Sequence, residues 1–402
     1  MIMLIITGCT DGENDVNKPT KPVFTTEPIS NTVTPVPTET TEPVSITTTP
    51  SPTEEKEKTL LDIMKEKKWE EAKKLILEGW EVNVEEKSER EILTPLVIAS
   101  EEGQKDIVEL LIENGAEVEK ESGYEALVKA IQKGNDNIVN ILLENNAPVE
   151  FNGMMQPFFT SLDTENLEMA EIILEKVKDK KRYINGCLYF YAMDANIKAV
   201  EFLIKHGADV NEKYEHQLTS LHYAAYYIPD DFWDNHYNYD EGKINEEYMN
   251  KIEEDYIRII NTLVNAGAEI DAREKEWGFT PLMYAAKNGY IQRAEALIEL
   301  GADVNAKSPV GGTTALNIAA MNCSVSFNKM LIEYGADVNA KTDYNRTPIY
   351  NAIAKPDLIR LFIESGADLN IKDNEGETVL MMAKRIGKDE VVEMLKKAGA
   401  KE

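Results

Sequence analysis

Residues 277–305 read WGFTPLMYAAKNGYIQRAEALIELGADVN, and this stretch decides how the rest of the chain is read. Thr280 stands where a helix begins, because its hydroxyl can accept an orphan backbone N–H. Pro281 follows at the first helical position, where its missing N–H costs nothing. Leu282, Ala285 and Ala286 share one face, and the two alanines let a neighbouring helix approach closely. Gly289 can take the left-handed conformation that stops a helix. A second helix is expected next, with Ala294, Leu297 and Ile298 on its apolar face. Gly301 ends it, and Asp303 and Asn305 suit a turn.

The stretch has near-copies along the chain. Its opening box recurs as Thr94-Pro95-Leu96, Glu125-Ala126-Leu127, Gln156-Pro157-Phe158, Gly186-Cys187-Leu188, Thr219-Ser220-Leu221, Thr314-Ala315-Leu316, Thr347-Pro348-Ile349 and Thr378-Val379-Leu380. Most steps between boxes are 31 to 34 residues. The closing motif keeps phase with it, at Gly115-Ala116-Glu117, Asn146-Ala147, Gly207-Ala208-Asp209, Gly267-Ala268-Glu269, Gly335-Ala336-Asp337, Gly366-Ala367-Asp368 and Gly399-Ala400. Two motifs in register at about 33 residues resemble the ankyrin repeat. With a divergent first unit at 59–90, the resemblance covers residues 59–402 in ten repeats. It implies an all-α ankyrin-repeat solenoid of helix-turn-helix units with β-turn fingers, each burying its face against its neighbours. Charged residues of the first and last units, Lys65 to Glu71 and Lys384 to Lys397, supply the polar ends.

Two units depart from the pattern. The fourth, 153–183, lacks the Gly-Ala-Asp ending and closes on Lys178, Asp179, Lys180, Lys181 and Arg182, so an altered finger is expected. The sixth carries about 28 extra residues at 228–255, and its second helix is expected to resume near Tyr256. The extra segment is acidic and aromatic, with Phe232, Trp233, Tyr237, Tyr239 and Tyr248 among Asp230, Asp231, Asp234, Asp240 and Glu241. It reads either as a projecting binding loop or as a loop packed back on the array.

Ahead of the repeats, residues 1–9 read MIMLIITGC. An apolar run followed by Thr7-Gly8-Cys9 resembles the end of a bacterial lipoprotein signal, cut before a cysteine that carries lipid. The run is short and has no basic residues before it, which points to a true start upstream of Met1. Residues 10–58 are rich in Thr, Pro and Glu and poor in large apolar groups, the composition of a disordered tether. Together these place the chain in the bacterial cell envelope, anchored by lipid at Cys9. The alternative is a cytoplasmic or secreted protein without an anchor.

A net charge of −29 over 402 residues argues against nucleic acid or anionic lipid as partners. A protein partner remains, with membrane contact only through the lipid, and the chain is expected to be a monomer. In ankyrin proteins the two positions after the alanine pair and the finger tips line the concave face. Carried over here, they give Met193, Tyr226, Tyr227, Lys287, Asn288 and Met321 on helices, and Tyr214 and Trp277 on fingers. With Trp233 and Tyr237 of the insertion, these are the expected partner-binding residues. Tyr189, Tyr223 and Tyr284 occupy box positions that usually pack inside.

No catalytic residue is expected: the sequence holds no G-x-S-x-G, H-E-x-x-H or P-loop, and Pro309 to Thr314 falls on a finger. No metal or other cofactor is expected. The four histidines lie between 206 and 236, but His206 and His222 sit at ordinary repeat positions. Asp234, Asn238 and Asp240 match a calcium loop poorly. Cys187 and Cys323, three repeats apart, are expected to be free and structural.

Overall fold

The computed structural model describes residues 58–88, 92–228, 237–238, 243–244 and 246–401. Cys9, the expected tether up to residue 57, and Trp233 lie outside them. Tyr237 is described in its backbone only, paired with Ile244 in a two-residue antiparallel ladder.

Among the described residues, twenty α-helices form ten antiparallel pairs in two compact units. The unit ending at Lys178 holds four pairs: Leu60–Lys65 with Trp69–Leu77, Pro95–Glu101 with Lys105–Glu113, Glu121–Gln132 with Asp136–Glu144, and Gln156–Asp163 with Leu167–Lys176. The unit starting at Asp179 holds six: Lys180–Met193 with Ile197–Lys205, Ser220–Tyr226 with Glu246–Asn265, Pro281–Asn288 with Ile291–Glu299, Ala315–Asn322 with Val325–Glu333, Pro348–Asn351 with Pro356–Glu364, and Val379–Arg385 with Asp389–Lys397. The fold class is the expected all-α ankyrin-repeat array.

The helix ends follow the local chemistry. Thr94, Thr280, Thr314 and Thr378 each accept the backbone N–H three residues on, at 3.3–3.4 Å. Pro95, Pro281 and Pro348 take the first helical turn. At the far end of the second helices the glycine of the closing motif turns left-handed, as at Gly301 (φ 102°). The next residue then reaches back to the last turn, Ala302 N–H to Leu297 O at 3.0 Å, the six-residue loop that satisfies orphan carbonyls. Asn146 (φ 61°) does this work in the third repeat, because its side chain tolerates the left-handed region. Each core layer is the alanine pair and the leucines: Leu282, Ala285, Ala286, Ala294 and Leu297 are fully buried, while Ile298 is half-buried.

A side-chain clamp joins successive repeats. Asn305 donates its amide to Gly335 O at 3.0 Å and accepts the N–H of Asp337 at 2.8 Å. Asn83 and Asn211 repeat both bonds to Gly115 and Glu117, and to Gly267 and Glu269. At the equivalent place, closing the sixth repeat, stands Asp271, whose carboxylate accepts the Asp303 N–H but offers no amide donor to Gly301.

The two irregular units resolve differently from one another. Asp179 caps a 14-residue helix, Lys180–Met193, so the expected altered finger before the fifth repeat is absorbed into an early helix start. Within the sixth repeat the second helix starts at Glu246, ten residues before the expected Tyr256. The last part of the insertion is therefore helical.

Candidate functional site

Seven aromatic rings run in series across the fifth, sixth and seventh repeats. Tyr214 packs on Tyr189 with ring centres 4.2 Å apart, and Tyr189 on Tyr223 at 5.1 Å. Tyr223 meets Tyr226 at 5.9 Å, and Tyr226 meets Tyr284 at 5.1 Å. Phe279 and Trp277 continue the series at 6.0 and 6.4 Å. Tyr223 is buried, and the other six are half-buried. Of the box-position tyrosines, Tyr223 packs inside, whereas Tyr189 and Tyr284 link the core to the surface. Burial pushes the phenols of Tyr189, Tyr223, Tyr226 and Tyr284 above their usual range, so they stay neutral hydrogen-bonding groups at any physiological pH.

Both ends of this ribbon are held by polar contacts. At one end the Tyr214 hydroxyl donates to Asn185 O at 2.7 Å. At the other, Glu274 is buried beneath the finger and accepts the N–H groups of Glu276, Trp277 and Phe279. Burial raises its carboxyl, but the backbone N–H bonds outweigh this and hold it below the usual range. The same finger needs glycine at 278: φ is +67°, and a Cβ there would lie 2.4 Å from the Pro309 ring. Between the ends, His222 bridges two repeats. Its Nδ1 accepts from Thr219 N–H at 3.1 Å, and its Nε2 lies 3.2 Å from Phe279 O. Those partners require the neutral ring carrying its proton on Nε2. Burial lowers its pKa to about 4.

The expected contact residues divide into three groups. Tyr214, Tyr226 and Trp277 lie in the ribbon, and Tyr227 joins it side-on, 5.9 Å from Tyr226. Lys287 is exposed with its ammonium 6.0 Å above the Tyr284 ring. Asn288 is exposed, but its amide is engaged with Tyr226 O at 2.8 Å, so it joins the two repeats. Met193 is half-buried, and its carbonyl accepts the Tyr256 hydroxyl at 2.6 Å. Met321 is 46% exposed, one repeat beyond the ribbon. Trp233 and the Tyr237 side chain lie outside the described residues.

Sequence reasoning missed Arg293 and Glu253. Arg293 is fully buried and pairs with Glu253 through Nε at 3.0 Å and Nη2 at 2.6 Å. Its Nη1 donates to Ala224 O and Tyr227 O, and its guanidinium lies 3.6 Å from the Tyr256 ring centre and 4.2 Å from that of Tyr290. This side chain fastens the helix that ends the insertion to the helix carrying Tyr226. The only signal was an arginine at a position where 291–299 places its apolar face.

The metal question has a narrow answer. Among the described residues one set of carboxylates, Asp373, Glu375 and Glu377, brings its oxygens within 4.8 Å. Arg346 and two backbone N–H groups occupy Asp373, and Arg385 occupies Glu377. Cys187 and Cys323 are buried free thiols, as expected.

A stack of capped helix pairs joined by asparagine clamps is the build of a repeat protein. The family model of ankyrin repeats in three copies matches residues 62–152 and 249–342. The chain carries ankyrin repeats, and ankyrin repeats are protein–protein interaction modules. The unmatched stretch between contains the fourth and fifth repeats and most of the insertion, where the motifs depart most from the template. No curated protein matches the chain.

Proposed function

We propose that the chain is a non-enzymatic interaction protein whose partner, a protein, binds across the aromatic ribbon of the fifth to seventh repeats. The ribbon is the observation that carries this reading. Tyrosine and tryptophan supply large contact area with little rotamer entropy to lose, and they dominate the energetics of protein interfaces. Seven rings in series are more than three repeats need for their cores, because the box position is filled by Ile318 in the eighth repeat. The exposed Lys287 and Met321 extend the surface, and Trp233 and Tyr237 of the insertion belong to the same proposed contact set. Capture from a native extract tests it. Replacing Tyr226, Tyr227 and Trp277 together with Ala should cut partner recovery at least tenfold with circular dichroism unchanged; full recovery would move the site elsewhere.

The anchored placement belongs to the same proposal. Residues 1–9 would be the end of a lipoprotein signal, 10–58 the tether and 59–402 the binding array, held as a monomer in the bacterial cell envelope by lipid on Cys9. Its support is the sequence Ile6-Thr7-Gly8-Cys9 ahead of a Thr- and Pro-rich segment. Cys9→Ala should move the protein from the membrane fraction to the soluble one. Unchanged fractionation would favour the soluble regulator instead.

A further inference from the structure

The rings of these repeats already hold two cations. Lys287 lies over the face of Tyr284. Arg293 lies between Tyr256 and Tyr290 with Glu253 closing the charge. Ring faces attract cations through their quadrupole, and the attraction grows as water is excluded. A tyrosine pair with an adjacent carboxylate is thus an arrangement that this chain builds in its own interior.

The ribbon brings the same kinds of group, tyrosine rings and carboxylates, to the surface. Glu215, exposed, lies close enough to Tyr189 and Tyr223 for its charge to act on both hydroxyls. At Tyr284, whose hydroxyl burial raises first, the buried Glu274 is the stronger charge, and Glu276, exposed on the same finger, adds to it. The same fingers carry Lys213 and Lys275, so a bulk acidic field is not what would select a cation; the ring faces and the carboxylates beside them are. The ring spacing bears on the shape of the ligand. Successive centres from Tyr189 to Trp277 are 5.1 to 6.4 Å apart. In an extended peptide, side chains on one face recur about every 6.7 Å, close to one per ring.

We infer that the ribbon takes an extended, cationic segment of the partner, with Arg or Lys side chains laid on the tyrosine faces and steered by Glu215 and Glu276. This rests on the ribbon being the partner site.

Fluorescein-labelled (Arg-Thr)4, (Gln-Thr)4 and (Glu-Thr)4 peptides, titrated into the full chain at 150 mM salt and followed by anisotropy, test it. The Arg peptide should bind at least tenfold more tightly than the Gln peptide, and the Glu peptide should not bind. Glu215→Gln with Glu276→Gln should weaken the Arg peptide at least fivefold. Tyr226→Ala with Tyr284→Ala should do the same, and Tyr226→Phe should retain binding. Glu364→Gln with Glu390→Gln removes the same charge at exposed sites in the ninth and tenth repeats and should change nothing. Equal weakening by that control pair would mean non-specific attraction and overturn the inference. Equal binding of the Gln peptide, lost in the tyrosine variants, would overturn the cation preference and leave the ribbon as the site. Absence of peptide binding, with native partner capture unaffected by the tyrosine variants, would remove both.

Discussion

Arg293 and Glu253 meet 40 residues apart in sequence, in a two-pronged ion pair with Arg293 fully buried and Glu253 nearly so. Neither charge would be tolerated there alone, because an unpaired buried charge must be neutralised or hydrated. Removing one partner of such a pair is strongly destabilising, by about 3–5 kcal/mol. Arg293→Met should therefore strip hydrogen-exchange protection from the start of Glu246–Asn265 and lower the urea midpoint. Adding Glu253→Leu should restore much of the loss, since a buried pair and a packed apolar pair are often similar in stability. A double variant no better than the single would show that the bonds to Ala224 and Tyr227 matter more than the pair.

Asp271 predicts a change of the opposite sign. Burial, the first cause, and the nearby Asp303 push its carboxyl up, against the bond it accepts from the Asp303 N–H. Its counterparts Asn211 and Asn305 supply the amide donor that Asp271 lacks. Asp271→Asn should stabilise the sixth-to-seventh joint by about 1 kcal/mol, the net worth of one added hydrogen bond. Asn305→Asp should destabilise the next joint by a similar amount. Urea midpoints of the two variants should move in opposite directions.

The neutral His222 ring makes stability depend on pH. Unfolded, it takes a proton near pH 6.5; folded, only near 4. Between those values the unfolded state binds more protons, so the contribution of His222 is complete above about pH 6.5 and falls as pH drops towards 4. The full loss is about 3 kcal/mol. In His222→Asn, which keeps a side-chain acceptor at that position, the pH dependence over this window should flatten by that amount. An unchanged slope would place the acid sensitivity elsewhere.

The finger under Trp277 depends on a close approach. Gly278→Ala puts a methyl against the Pro309 ring at a positive φ, a strain of about 1–3 kcal/mol. The Trp277 emission should shift to the red as its contact with Phe279 loosens. Gly301→Ala, where nothing lies within 4 Å of the added carbon, should show only the smaller cost of its left-handed backbone and leave Trp277 emission unchanged.

Local chemistry made most of the fold readable. Thr280, Pro281, Gly289 and Gly301 each act within a few residues of themselves, so their roles follow from the chain alone. His222 was readable as a bridge because its place in the box fixes its neighbour. Arg293 was not, since its partner arrives from the insertion and no periodicity links positions 253 and 293. The ribbon was half legible. Tyr214, Tyr226 and Trp277 were expected on the contact face, whereas Tyr189, Tyr223 and Tyr284 occupy box slots and were expected to pack within the core. Tyr223 is buried as that slot implies, while Tyr189 and Tyr284 are half-buried: a tyrosine can fill the core and still reach the surface.

The asparagine clamp carries a last consequence. Asn211 and Gly267 are 56 residues apart in sequence, Asn305 and Gly335 only 30, yet the two bonds are 2.9 and 3.0 Å long. The joint is indifferent to how much chain lies between its halves. New material can enter a repeat between its two helices without disturbing the coupling of that repeat to the next. The array thus behaves as a rail with standard fittings, on which evolution can exchange what is mounted at one station while the rail stays in gauge.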